Sequence, residues 1–117
     1  MKGTIYEGGI RTPGFVFSPL IQDPGTVSHQ LIHVTDWLPT LYSLAGADSQ
    51  EVEDLDVDGV NQVDVILNSG TAQSRRKGLV VNINRDPCDL LQASLRERRY
   101  KLVMNPMGGS NLQLIRS

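Results

Sequence analysis

The chain has 117 residues, 39% of them hydrophobic, 21% charged and only 5% aromatic, with a formal charge of −2. That length and balance fit one ordinary domain with a small core and exclude a disordered tail. The charge balance offers no clustered basic face for nucleic acid, and no apolar stretch is long enough to span a bilayer.

The chain opens with Lys2-Gly3-Thr4-Ile5-Tyr6-Glu7-Gly8-Gly9-Ile10-Arg11-Thr12-Pro13. Gly8-Gly9 suits left-handed backbone or a close approach to another group. Glu7 and Arg11 read as structural residues, paired with each other or ordering the glycine loop. Gly14 to Leu20, carrying Phe15, Val16 and Phe17, reads as a buried strand whose exit is loosened by Pro19. Pro24-Gly25 marks a turn. After the short apolar run Leu31-Ile32-His33-Val34, Thr35 suits a helix N-cap, and Asp36 puts negative charge in the first turn. Pro39 is tolerated there because first-turn N–H groups have no intrahelical partner. Trp37, Leu38, Leu41, Leu44 and Ala45 make one apolar face, and Gly46 fits a left-handed C-terminal cap.

From Ala47 to Asp58 the chain is acidic and irregular, and Val60, Val63, Ile66 and Leu67 suit a short helix. Arg75-Arg76-Lys77, the one basic run, reads as a solvated turn. Leu79 to Asn84 is a strand that Arg85-Asp86-Pro87-Cys88 breaks. Ala93 to Arg96 and Tyr100 to Met104 form a hairpin around Glu97-Arg98-Arg99, and Leu112 to Ile115 starts another strand.

Three local patterns imitate metal or thiol chemistry and fail on detail. His29 and His33 have the spacing that places two imidazoles on one helical face. Gln30 follows His29 where a zincin carries glutamate, and the run into Val34-Thr35 is extended. Asp54-x-Asp56-x-Asp58-Gly59 copies the opening of an EF-hand loop, yet the twelfth position is Val65 instead of a bidentate glutamate. Cys88, the single cysteine, has no flanking Lys or His to activate it and no partner for an intrachain disulfide.

The opening stretch strongly resembles the K-x-T-x-x-E-G-G signature of the type I sulfatases, the arylsulfatase family. His33, Asp36, Pro39, Thr40, Ala45 and Gly46 match that family's H-x-x-D-x-x-P-T-x-x-x-x-A-G segment. Leu55 to Val60 resembles its L-D-G loop, and Ala93 to Leu102 its A-x-R-x-x-x-[YW]-K-L hairpin. The Asp86-Pro87-Cys88 step and the string from Leu31 to Thr40 look closest to arylsulfatase B and its relatives.

The resemblance implies an α/β fold of the alkaline-phosphatase-like type, present in part. Residues 1–70 would end the large mixed-sheet catalytic domain, and residues 71–117 would form the C-terminal subdomain with antiparallel strands. It implies a sulfuric ester hydrolase acting on aryl sulfates or sulfated glycans, with Ca²⁺ and a formylglycine made from a cysteine in C-x-P-S-R. Lys2 would be the catalytic and substrate-binding residue, its ammonium stabilising charge on the sulfate oxygens. The formylglycine cysteine and the metal ligands are not among these residues, so the chain alone is expected to be inactive, with no metal ligand of its own. A non-catalytic interaction module derived from a sulfatase is the alternative. The family implies a lysosomal or secreted parent, although the chain's start lacks the basic-then-apolar layout of a secretion signal.

Overall fold

The computed structural model describes residues 5–68, 70–85, 88–105 and 111–116. They fall into two units, one made of Met1–Gly14 with Gly78–Ser117 and the other of Phe15–Lys77.

The first unit is a four-stranded antiparallel meander, β1 (Gly78–Arg85), β2 (Leu91–Glu97), β3 (Tyr100–Met104) and β4 (Leu112–Arg116), in sequential order. The expected hairpin and both flanking strands are present. Arg98 turns the β2–β3 connection with a φ of 50°, and Glu97 pairs with Tyr100 on either side of it. β1 carries a bulge between Val80 and Asn82. The two faces of the sheet differ in an unexpected sense. The row Val80, Leu95, Leu102 and Leu114 runs directly across all four strands, and Val80, Leu95 and Leu114 of that row are exposed. The opposite face carries Ser94, Arg96, Lys101 and Val103, and of these Ser94, Lys101 and Val103 are buried.

The same unit includes a single helical turn, α1 (Glu7–Ile10). Gly8 and Gly9 lie inside that turn in ordinary right-handed backbone, so they are not the left-handed residues the sequence suggested. Left-handed glycine backbone occurs instead at Gly25 and Gly46.

The second unit packs short helices on one another. α2 (Trp37–Leu44) is preceded by a 3₁₀ turn over Val34–Asp36, and α3 (Ser49–Glu53) and α4 (Val63–Leu67) follow. The N-cap of the 3₁₀ turn is His33, not Thr35: its ring accepts from the Thr35 amide, and its own amide donates to Asp36. At the other end Gly46 behaves as expected, with a φ of 101°. The Ala47 amide reaches back to the Tyr42 carbonyl and the Gly46 amide to Ser43, which satisfies two otherwise orphan carbonyls. α3 replaces the irregular stretch expected after Ala47. Asp48 accepts from the Glu51 amide while Glu51 accepts from the Asp48 amide, a reciprocal cap strong enough to fold five residues.

One further expectation fails and another takes an unforeseen sense for one reason: apolar content does not say which surface a partner will cover. Phe15, Val16 and Phe17 form no strand, and the two phenylalanines are almost fully exposed at 94% and 93%. On α2 the anticipated apolar face is also the outer one, with Trp37, Leu38, Leu41 and Leu44 exposed. Asp36, Pro39 and Thr40 turn inward instead.

That inward face permits a close approach. A methyl group at Gly59 would meet the Thr35 carbonyl oxygen at 2.2 Å and the Pro39 ring at 2.9 Å, whereas nothing lies within 4 Å of one at Gly14. Gly59→Ala is expected to destabilise the chain by about 1–3 kcal/mol, the usual cost of overpacking a tight contact. Gly14→Ala should leave stability within about 0.5 kcal/mol of the parent. Urea denaturation followed by circular dichroism distinguishes the two; equal midpoints would contradict the assigned packing.

Candidate functional site

In the helical unit the chemistry gathers on Asp36, which is 1% exposed. Its carboxylate accepts from Arg76 Nε at 2.9 and 3.0 Å and also pairs with Arg76 Nη2. The His33 and Val60 amides donate to it at 2.9 Å each, and Gln62 Nε2 donates at 3.2 Å. Arg76 extends the network by donating to the Asp58 carbonyl at 2.9 Å. Thr40 Oγ1 donates to the Asp36 carbonyl and accepts from the Gln62 amide. Ser74 Oγ links Gln62 to the Leu31 carbonyl. Three separate stretches are thereby fixed to one carboxylate: the entry to α2, the loop before α4 and the basic run.

Burial alone would push the Asp36 carboxyl up. The Arg76 guanidinium, the His33 and Val60 amides and the Gln62 side chain together outweigh that, and hold it below its ordinary value. With its oxygens met by a guanidinium, two backbone amides and a side-chain amide, the Asp36 carboxylate acts as a structural node. Arg76 was not legible as its partner: it lies 40 residues away in sequence, inside a run that reads as a solvated turn. A half-buried arginine with 11% side-chain exposure takes the place of that reading.

In the sheet unit a second carboxylate plays a comparable part. Glu7 accepts from Arg96 Nη1 at 3.1 Å and from Lys101 Nζ at 3.2 Å. Lys101 also donates to the Ile5 carbonyl, and the Tyr6 hydroxyl donates to Gln113 Oε1 at 3.2 Å. Glu7 is therefore structural, as expected, but its cations come from β2 and β3, not from Arg11. The Arg11 amide closes the helical turn on the Glu7 carbonyl. The only sequence sign of this cluster was the hairpin pattern that contains Arg96 and Lys101.

Lys2 lies outside the described residues, as do Asp86 and Pro87. His29 is exposed, while His33 caps the 3₁₀ turn with its ring against Thr35 Oγ1. Asp54 caps the end of α3, and Asp56 and Asp58 are exposed. Among the described residues no three His, Cys, Asp or Glu side chains group as a metal site. Cys88 is exposed and outside any disulfide. No helix among the described residues is long and apolar enough to cross a membrane.

Comparison with known proteins gives the ancestry. Arylsulfatase J of Mus musculus is 47% identical over 83 residues, covering 71% of this chain and 13% of that protein. Arylsulfatase A of Homo sapiens is 44% identical over 78 residues, or 67% of this chain and 14% of that protein. An ulvan-active sulfatase of Formosa agariphila is 31% identical over 110 residues, which is 89% of this chain and 20% of that protein. The chain belongs to the sulfatase family. It spans 13–14% of the length of the arylsulfatases just named. No family model and no solved structure matches it. The family assignment drawn from the opening signature and the α2 segment thus agrees with arylsulfatases J and A. The finer likeness to arylsulfatase B rests on the sequence pattern alone.

Within this sulfatase segment, Asp36→Ala removes a buried carboxylate and strands Arg76. The expected cost is about 3–5 kcal/mol in urea denaturation. Because folding lowers the pKa of Asp36, its contribution is fully present above the unfolded carboxyl value of about 4 and is lost as pH falls through the lower folded value. The stability gap between the parent and Asp36→Asn should therefore be constant from pH 7 to about 5 and shrink in more acid solution. A gap that does not change down to pH 2 would contradict the assigned linkage.

Proposed function

We propose that the chain is the C-terminal part of a sulfuric ester hydrolase of the arylsulfatase type, with Lys2 contacting the sulfate group of the substrate. When a sulfate ester breaks, negative charge grows on the leaving and non-bridging oxygens. An ammonium held within hydrogen-bond reach stabilises that charge. The observation that carries the reading is the identity to arylsulfatases J and A at 42–47%, together with the K-x-T-x-x-E-G-G signature that Lys2 heads.

On this reading strands β1 to β4 are part of the C-terminal antiparallel subdomain of an alkaline-phosphatase-like fold. Residues 1–70 then close the catalytic α/β domain and 71–117 supply the subdomain strands. Aryl sulfates or sulfated glycans are the substrates of the whole protein, which works in the lysosome or after secretion. Ca²⁺ and formylglycine supply the Lewis acid and the nucleophile in that family. The described residues fit neither group: among them no three acidic, histidine or cysteine side chains gather, and Cys88 sits in Asp86-Pro87-Cys88-Asp89 instead of C-x-P-S-R. The 117 residues by themselves therefore do not hydrolyse sulfate esters.

The exposed apolar row on the sheet favours one second reading, a non-catalytic interaction module built from sulfatase sequence. The native transcript, read through its 5′ end, separates the two. The hydrolase reading expects the frame to continue upstream into C-x-P-x-R. A message that starts at Met1 would leave the module. The purified chain is also expected to release no sulfate from an aryl sulfate in the presence of Ca²⁺. Turnover that disappears in Lys2→Ala would contradict the inactivity of the isolated segment.

A further inference from the structure

We propose that Lys101 and Arg96 are positioning residues that hold the opening Glu-Gly-Gly segment against the C-terminal hairpin. This deepens the sulfatase reading, because the segment they hold is the end of the signature headed by Lys2.

The cross-strand register places Arg96 opposite Lys101 on neighbouring strands, so their side chains leave the same face of the sheet. Both reach Glu7, one to each carboxylate oxygen, at 3.1 and 3.2 Å. A carboxylate bridged in this way by two cations on rigid strands is fixed in orientation as well as position. Lys101 adds a bond to the Ile5 backbone carbonyl, so the segment is gripped by main chain and side chain alike.

Burial sharpens the assignment. The Lys101 side chain is 1% exposed, and lysine is almost never fully buried unless paired. Desolvating an ammonium for a bond an alanine could replace would be costly. The cost is offset only because the ammonium satisfies both Glu7 and the Ile5 carbonyl. Tyr6, between those residues, adds its own bond to Gln113 on β4. Residues 5 to 7 are thus held by three successive strands, at sequence separations of 89 to 107 residues. A loose opening segment would need none of these contacts.

Hydrogen–deuterium exchange on the purified chain tests this without reference to catalysis. In the parent, amides of residues 6–11 should exchange slowly. In Lys101→Met they should exchange roughly tenfold faster or more, while the 36–62 region stays protected. Lys101→Arg, which keeps a cation beside Glu7, should recover most of the protection. Glu7→Ala leaves every strand side chain in place and should release the segment in the same way, so the claim stays testable if Lys101→Met loses the sheet. An opening segment that is unprotected in the parent would overturn the proposal, as would unchanged exchange in Glu7→Ala or equal loss in Lys101→Met and Lys101→Arg. Lys2→Ala should leave these exchange rates unchanged, so the clamp and the catalytic reading of Lys2 can fail independently.

Discussion

A carboxylate taken out of water must be met by enough donors to replace the water it loses, and the helical unit is built around that requirement. Asp36 has one guanidinium, two backbone amides and one side-chain amide directed at it. The donors come from stretches far apart in sequence, tied further by the Thr40, Ser74 and Arg76 hydrogen bonds around them. The 3₁₀ turn, the loop carrying Val60 and Gln62, and the basic run around Arg76 all take their positions from the same two oxygen atoms. The apolar side chains contribute less than usual to this unit. Val52, Val65 and Ile66 are buried, but the larger aromatic and aliphatic groups of α2 face outward. Gly59 completes the arrangement by letting the loop backbone lie against Thr35 and Pro39.

Glu7 solves the same problem with fewer donors and in a different setting. Its partners come from strands whose positions the backbone ladder already fixes, so it ties one short segment to a sheet that is already formed. Asp36 instead joins several elements none of which is rigid alone. The difference explains why loss of Asp36 is a matter of global stability, whereas Glu7 governs the order of a short segment.

Local chemistry was legible in the sequence where a few adjacent residues decide the structure. The hairpin follows from two alternating runs around Arg98-Arg99, and the end of α2 from Gly46. The sulfatase signature and the His33–Gly46 segment identified the family because their spacing is specific. What could not be read was tertiary. Phe15 to Phe17 have the apolarity of a strand, but no composition reveals whether another strand lies alongside. The periodicity of Trp37, Leu38, Leu41 and Leu44 marks a coherent face without saying whether that face or the one with Thr40 is turned inward. Arg76 reads as part of a solvated turn and Lys101 as an ordinary strand residue, because neither carries a local sign of the carboxylate it pairs with. Their partners are 40 and 94 residues distant.

The division of the chain into units also bears on the order in which it acquires structure. Phe15–Lys77 is continuous in sequence, and its contacts can close as soon as that stretch has left the ribosome. The sheet unit is interrupted: its opening segment precedes the helical unit in the chain and its four strands follow it. Glu7 has to wait for Arg96 and Lys101, and the loop to be closed is long, so the entropic cost of joining them falls late in folding. During synthesis the Glu7 carboxylate is therefore made well before the two cations that pair with it.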